Sequence, residues 1–225
     1  ESMQRLSDLL ADHSPLPPFG LAIAPRDYQA KAAALALHVE GLLIADDVGL
    51  GKTCTAIATF TDPRTLPAVV VAPAHLCSQW AREVARFAPS LRVHQLAKVG
   101  PYPLPQVEGK GPDVLITSYH KLMGWAQVLG AYCKSIVFDE VHELRHPDSA
   151  KYRAARHIVE RLRFRTGLSA TPIFNYGVEI WNVLQILRPG ALGTKDEFRR
   201  EYCTAYSDTL KHPQAFGSYL RDQGL

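Results

Sequence analysis

The stretch from Gly41 to Thr53, GLLIADDVGLGKT, has the residue types needed to hold a phosphate group. Glycines at positions 49 and 51 stand directly before Lys52 and Thr53. Glycine reaches backbone conformations that are closed to other residues, so successive N–H groups can converge on phosphate oxygens. A lysine at this position adds a charge for the β and γ phosphates, and a threonine hydroxyl is a ligand for Mg²⁺. The spacing therefore predicts a site for phosphate groups and Mg²⁺.

The stretch departs from the full phosphate-loop pattern, G-x-x-x-x-G-K-[ST], because Asp46 occupies the first glycine position. Its surroundings favour the phosphate-loop interpretation all the same. An apolar run ending at Ile44 predicts a buried strand, and the pattern from Cys54 onward predicts a helix whose N-terminal dipole would face the anion. The alternative is a glycine-rich turn with an incidental lysine.

A second group suited to chemistry is VFDEVH, from Val137 to His142, which puts two adjacent carboxylates at the end of an apolar run. Phosphoryl transfer to water needs Mg²⁺ to neutralise charge and a base to orient the attacking water. We expect Asp139 to hold the metal and Glu140 to act as the base. The alternative is that the two acids only end a strand at the surface.

The elements that must position these residues alternate along the chain. Apolar runs too short for helices predict strands, and longer stretches with helical spacing separate them. Strands connected by helices of about 10 to 15 residues predict βαβ units and a mainly parallel sheet. The fold class is therefore α/β, with helices on both faces in three layers. The predicted strands are 42–44, 68–73, 91–97, 113–119, 135–140 and 164–172, and the predicted helices are 24–41, 54–60, 75–89, 120–129, 151–162 and 178–190.

Domain limits follow from the same patterns. Residues 2–14 predict a short amphipathic helix that the proline-rich stretch 14–20 ends, so we expect an accessory segment at 1–20 and the domain proper at 21–225. Gly41 is expected to end the helix that begins near Pro25. The chain of 225 residues predicts one domain or at most two small ones. Four prolines make residues 99–112 a loop.

Composition and charge place limits on function. Hydrophobic residues make up 47% and charged residues 21%, and no apolar run approaches about 18 residues, so we expect no membrane partner and an intracellular protein. We expect a cytoplasmic prokaryotic protein, or a nuclear one if it is eukaryotic. The four cysteines lack C-x-x-C spacing, which favours reduced, mostly buried thiols over zinc or disulfides. Residues 151–165 are strongly basic and fit either a helix along phosphates or a solvated helix face.

Polar clusters follow four of the predicted strands, and they read APAH, TSYH, DEVHE and SATP. Ligands of parallel sheets bind where the carboxyl ends of strands meet the following loops. We therefore expect these clusters and the phosphate loop to form one active face.

Six segments carry a family resemblance: IADDVGLGKT, VVVAPAHLCSQW, DVLITSYHKL, FDEVHEL, TGLSATPIFN and EIWNVLQILRPG. In this order they resemble the first RecA-like motor lobe of superfamily-two helicases, and Swi/Snf-type DNA translocases in particular, from about Ala24 to the end of the chain. Those translocases have the phosphate loop DE-x-G-L-G-K-T, so Asp46 becomes a shared feature. The resemblance implies a DNA-dependent ATPase that uses ATP and Mg²⁺ and binds double-stranded DNA through its phosphates, with little preference for sequence.

The resemblance also implies roles for individual residues. Arg26 and Gln29 match the adenine-reading motif, Thr53 and Asp139 would hold Mg²⁺, and Lys52, Asp139 and Glu140 would be catalytic. For two of the DNA contacts implied below there is an alternative: Trp80 could simply pack in the core, and His75 could simply begin a helix. The implied nucleotide contacts continue with Asp47, Gly49, Leu50, Gly51, Lys52, Thr53 and Cys54; the coupling residues are His142, Ser169, Ala170 and Thr171; the DNA contacts are Pro73, Ala74, His75, Gln79, Trp80, Thr117, Ser118 and Tyr119.

The chain also departs from the family pattern. Val141 replaces an alanine, Arg145 and His146 replace a lysine and an asparagine, and the SAT motif is closer to other superfamily-two helicases. A helicase or restriction-type motor that does not remodel therefore stays open as the alternative function. No motif of the second RecA-like lobe is present, so we expect a fragment with little turnover, because that lobe carries the arginine fingers.

Partners beyond DNA are expected from the same resemblance: the second lobe and, in some family members, a protein substrate on the DNA. Two rivals come from other classes. A P-loop kinase or transport ATPase leaves the TSYH and SATP clusters unexplained, and a non-enzymatic scaffold predicts damage at Lys52 or Glu140, which are both intact.

Overall fold

The computed structural model describes Leu9 and residues 16–170, 176–204 and 207–225. At its centre lies one sheet with the strand order β1-β6-β5-β2-β4-β3, and every pairing between these strands is parallel. The predicted α/β class with a parallel sheet is confirmed. The strands are β1 (Gly41–Ile44), β2 (Ala68–Ala72), β3 (Val93–Gln95), β4 (Val114–Ser118), β5 (Ser135–Asp139) and β6 (Phe164–Leu168).

Helices connect the strands, as the spacing predicts, except between β3 and β4, where the predicted loop lies. Two further helices near the C-terminal end, α7 and α8, were not predicted. The helices of the described part are α1 (Asp27–Val39), α2 (Lys52–Thr59), α3 (Cys77–Phe87), α4 (Tyr119–Tyr132), α5 (Ala150–Val159), α6 (Gly177–Leu187), α7 (Lys195–Tyr202) and α8 (Pro213–Asp222).

The inner strands of the sheet are buried on both faces, which explains why strands such as β2 are continuous apolar runs. All five residues of β2 are buried, and successive side chains point to opposite faces. Val69 and Val71 pack in one apolar cluster, which includes residues of α4, α5 and α6. Val70 packs in the other cluster, which includes residues of α1, α2 and α3. The sheet is therefore the middle of three layers, as expected.

The junction between α1 and β1 differs from the expectation. Helix α1 ends at Val39, Glu40 takes the left-handed conformation with φ 63°, and Gly41 is the first residue of β1. A Cβ atom on Gly41 would lie 2.4 Å from the carbonyl oxygen of Leu187. Gly41 is therefore needed for the close approach of β1 to the end of α6, and it does not end the preceding helix.

The remaining expectations concern segments and thiols. The four cysteines are buried, as predicted. Within the described ranges, no helix is long and apolar enough to cross a membrane. Apart from Leu9, the predicted N-terminal helix at 2–14 lies outside the described residues, and so does the predicted turn at Pro172.

Candidate functional site

The phosphate loop connects β1 to α2, and its two glycines have conformations that strongly favour glycine. Gly49 and Gly51 have φ values of 87° and 75°. At Gly51 space is restricted as well, because a Cβ atom there would lie 2.4 Å from Nε2 of Gln29. Lys52 is the first residue of α2, so the loop delivers the start of the helix to the carboxyl edge of the sheet.

Helix α1 fixes the phosphate loop through Gln29. Its Nε2 donates to the carbonyl oxygens of Leu50 at 3.0 Å and Gly51 at 3.4 Å. Its Oε1 accepts from the backbone N–H of Arg26 at 2.9 Å. Gln29 is only 6% exposed. The side chain expected to contact adenine therefore also holds the phosphate loop in place. Tyr28 was missed by the sequence reasoning, although it lies between Arg26 and Gln29, and its hydroxyl donates to the Leu50 carbonyl at 2.8 Å.

A cleft of about 580 Å³ opens above the phosphate loop. Lys52 lies in it, and its Nζ donates to the carbonyl oxygens of Asp46 at 2.7 Å and Asp47 at 3.0 Å. The cleft brings together residues predicted separately from five parts of the chain. Among its lining residues are Arg26, Gln29, Gly49, Leu50, Gly51, Lys52, Thr53, Cys54, Gln79, Asp139, Glu140 and Ala170.

Asp139, the last residue of β5, is held at both carboxylate oxygens. Its Oδ1 accepts from the backbone N–H of Glu140 at 3.1 Å, and its Oδ2 accepts from the indole N–H of Trp80 at 2.7 Å. Burial raises the pKa of Asp139, and the hydrogen bonds and the charges of Lys52 and His142 oppose that rise. The carboxylate is thus oriented by fixed donors at the floor of the cleft.

Glu140 takes the left-handed conformation, with φ 51° and ψ 54°. For a residue other than glycine this conformation is uncommon and strained, and such residues cluster at functional sites. The turn places Oε2 of Glu140 3.2 Å from Nδ1 of His142. The same nitrogen lies 3.2 Å from Oγ of Ser169, which is fully buried. His142 therefore contacts both the expected base and the end of β6.

The predicted coupling residues are accounted for as follows. His142 and Ser169 are in contact, and Ala170 lines the cleft. Thr171 lies outside the described residues.

The donor set of the cleft fits a magnesium ion. Thr53 and Asp139 line it and supply hydroxyl and carboxylate oxygens, the hard ligands that Mg²⁺ prefers. The described residues hold no group of three or more His, Cys, Asp or Glu side chains able to bind a metal. Magnesium at phosphoryl-transfer sites usually takes one or two protein ligands together with phosphates and water, so two ligands are enough.

A second cleft, of about 510 Å³, lies where β2 and β4 end. Three of the predicted DNA contacts, Pro73, Ser118 and Tyr119, line it together with Ala74. His75 is exposed nearby. Its other lining residues include His120 and Glu143 of the TSYH and DEVHE clusters and Lys151 of the basic stretch, and Lys151 and Glu143 form an ion pair. The sequence reasoning did not name Met123, Ser149 and Ala150.

Three predicted DNA contacts are placed elsewhere. Gln79 lines the first cleft, beside the phosphate loop. Trp80 and Thr117 are 2% and 1% exposed, so their side chains present no surface to DNA. The core-packing alternative describes Trp80 better, because its ring packs in the apolar layer beneath the sheet edge. Helical spacing identifies Trp80 as apolar-facing, but it does not reveal the carboxylate that its N–H meets.

Comparison with known proteins gives a consistent result. Residues 26–218 match the family described as SNF2-related domain. The chain is 30% identical over 188 residues to the TATA-binding protein-associated factor MOT1 of Saccharomyces cerevisiae, an alignment that covers 73% of this chain and 10% of that protein. It is also 30% identical over 190 residues to the ATP-dependent DNA helicase DDM1 of Arabidopsis thaliana, covering 77% of this chain and 25% of the relative.

Among solved structures, the fold is similar to the SWI2/SNF2 ATPase core of Sulfolobus solfataricus in complex with dsDNA. The TM-score is 0.74 at 26% identity, and the match covers 93% of this chain and 45% of that one. The chain thus spans a quarter or less of the two curated relatives and under half of the solved core.

Proposed function

The chain belongs to the SNF2-related domain family, and from this premise we propose that it is the ATP-binding lobe of an ATP-dependent translocase of double-stranded DNA. One observation carries the proposal: the phosphate loop and the Asp139–Glu140 pair line a single cleft at the carboxyl edge of the sheet. Phosphoryl transfer needs these two groups within reach of one nucleotide.

In this proposal the cleft binds ATP with Mg²⁺. The N–H groups of residues 49–53 and the Lys52 ammonium hold the phosphates, with Thr53 and Asp139 as the protein ligands of the metal. The bound ion neutralises the charge that develops on the phosphates. Glu140 accepts a proton from the attacking water, and its contact with His142 fixes the direction of its carboxylate.

The second cleft is proposed as the surface that follows the DNA backbone. His75 and His120 are exposed there, and Ser149 and Lys151 lie at the start of α5, where helix N–H groups favour phosphate. Such contacts hold phosphates without reading bases. The first part of the basic stretch, 151–159, continues from this cleft along α5. The Sulfolobus core was solved with dsDNA, which supports the choice of ligand.

We also propose that full turnover requires a second RecA-like lobe. The catalytic arginine fingers of such motors act across the nucleotide, and an arginine finger contributes about 10³ to 10⁵ in rate. The lobe alone should therefore bind nucleotide and hydrolyse it slowly.

Binding of a fluorescent ATP analogue with Mg²⁺ to the chain tests the nucleotide site. Lys52→Ala removes a charge-assisted contact of about 1.5–3 kcal/mol, so affinity should fall about 10- to 150-fold. Lys110→Ala, in an exposed loop, is the matched control and should bind as the wild type does. Equal affinity of Lys52→Ala and the wild type, or no binding to either, would contradict the proposal.

A salt series with duplex DNA, single-stranded DNA and RNA tests the second cleft. We expect duplex binding that is independent of sequence and falls steeply with salt, because counterions are released from the phosphates. Equal affinity for RNA and duplex DNA, or binding that salt leaves unchanged, would reject a duplex-tracking surface. A preference for single strands would favour an unwinding helicase.

A further inference from the structure

Two aromatic residues from different segments of the chain donate hydrogen bonds to the same aspartate, Asp139. Trp80, in α3, is 2% exposed, and its Nε1 donates to Oδ2 of Asp139 at 2.7 Å. Tyr119, the first residue of α4, is 7% exposed, and its hydroxyl donates to the backbone carbonyl oxygen of Asp139 at 2.9 Å. Asp139 is therefore held from its side chain and from its main chain at once.

We propose that Trp80 and Tyr119 are positioning residues that hold Asp139 in the orientation it needs as a ligand of Mg²⁺. The proposal rests on the nucleotide site argued above. It replaces the DNA contact expected for Trp80, and it adds to the contact proposed for Tyr119, whose ring lines the second cleft. In this role neither side chain touches nucleotide or metal.

The geometry leaves Asp139 free to bind a metal while its rotation is fixed. A carboxylate oxygen has two lone pairs, and each oxygen of Asp139 uses one: Oδ1 for the N–H of Glu140 and Oδ2 for Trp80. The second lone pair of each oxygen remains available. An indole ring buried in the core has no room to turn, so its N–H defines a single direction. Partners of this kind are worth about 10- to 100-fold in metal affinity.

The carbonyl contact of Tyr119 fixes the backbone beneath the carboxylate. Its ring stacks on Phe138, the neighbour of Asp139, with centroids 6.3 Å apart and planes at 17°. The same ring lines the second cleft. Trp80 lies on the helix that follows Pro73 and Ala74, which also line that cleft. Both positioning residues thus stand between the proposed DNA surface and the metal ligand.

Core packing accounts for the position of the Trp80 ring, but it does not account for the hydrogen bond from its N–H to Asp139. Trp125 provides the comparison: it is fully buried, and its Nε1 donates to the backbone carbonyl of Lys98 at 3.0 Å, the usual solution for a buried indole. The indole N–H of Trp80 donates instead to an acidic side chain, Asp139, that lines the nucleotide cleft. A tryptophan selected only for volume would not need to meet the proposed metal ligand.

The experiment measures the Mg²⁺ concentration that gives half-maximal binding of a fluorescent ATP analogue to the chain. Trp80→Phe keeps the ring and removes the donor, and we expect this concentration to rise about 10- to 100-fold, while nucleotide binding in EDTA is unchanged. Trp125→Phe is the matched control and should leave the Mg²⁺ dependence as in the wild type. Thermal unfolding of both variants separates lost stability from lost positioning.

Tyr119→Phe removes a single hydroxyl, so it keeps the test decisive if Trp80→Phe does not fold. Its control is Tyr152→Phe, because the buried Tyr152 hydroxyl also donates to a carbonyl, that of Asn182, at 3.3 Å. We expect a rise of at least about 3-fold in the Mg²⁺ midpoint for Tyr119→Phe and none for the control. Midpoints for both positioning variants that equal those of their controls would overturn the inference. A wild-type chain without Mg²⁺-dependent binding would instead reject the proposed function.

Discussion

Replacing Gly51 with alanine tests how the phosphate loop is built. The residue has φ 75°, and a Cβ atom there would lie 2.4 Å from Nε2 of Gln29. Gly51→Ala therefore has two costs: a left-handed conformation for a residue with a side chain, and displacement of the Gln29 amide from the Leu50 carbonyl. The free chain can relieve both by moving the loop, and a nucleotide must then restore the binding conformation.

The two costs can be given separate magnitudes. The left-handed conformation costs about 1–2 kcal/mol for alanine, and a lost hydrogen bond costs about 1 kcal/mol. Their sum of about 2–3 kcal/mol corresponds to about 30- to 150-fold weaker binding, since each 1.4 kcal/mol is about tenfold. Gly49→Ala is the matched control, because Gly49 has φ 87° but no atom within 4 Å of its Cβ position. It should lose only about 5- to 30-fold.

Titration of the fluorescent ATP analogue into Gly51→Ala, Gln29→Ala and the double variant measures the coupling. Without the Gln29 side chain the new methyl group meets no amide, so Gly51→Ala should cost no more in the Gln29→Ala background than Gly49→Ala costs in the wild type. Equal losses from Gly51→Ala in both backgrounds would refute the steric reasoning. Wild-type affinity for Gly51→Ala would refute the proposed conformation of the loop itself.

Two further predictions concern stability. Gly41→Ala should destabilise the fold by about 1–3 kcal/mol in thermal or urea unfolding, because its methyl group would meet the Leu187 carbonyl, whereas Gly217→Ala, exposed on α8 with no atom within 4 Å, should not destabilise it. The Arg92 guanidinium beside Asp113 lowers the pKa of that carboxyl below 3.8. The ion pair therefore stabilises the fold above that pH, and this contribution is lost as the pH falls through the lowered pKa. Asp113→Asn should therefore melt at a lower temperature than the wild type at pH 7, and the difference should shrink as the pH falls below 3.8. A difference that stays constant with pH would contradict this.

The sheet and the phosphate loop were predictable because their signals are local. An apolar run such as 68–72 must be buried on both faces, and glycines before a lysine allow the loop conformation that phosphate binding needs, whatever the rest of the chain does. Helices α7 and α8 escaped prediction because local apolar spacing is weak there: in α7 only Phe198 is buried. Gly41 was assigned to a helix end because glycine often ends helices. The structure gives another reason for a glycine there: the carbonyl of Leu187, distant in sequence, leaves no room for a side chain.

The sequence by itself predicted the chemistry of the site: which residues would hold phosphates, which would hold Mg²⁺ and which would orient water. Only the tertiary structure decided the partners of the aromatic residues. Trp80 and Asp139 are 59 positions apart and meet because β2 and β5 are neighbours in the sheet. Helical periodicity predicts which side of a helix is buried, but strand order decides which side chain the buried side contacts. Strand order depends on how all six strands pack together, so no local pattern contains it.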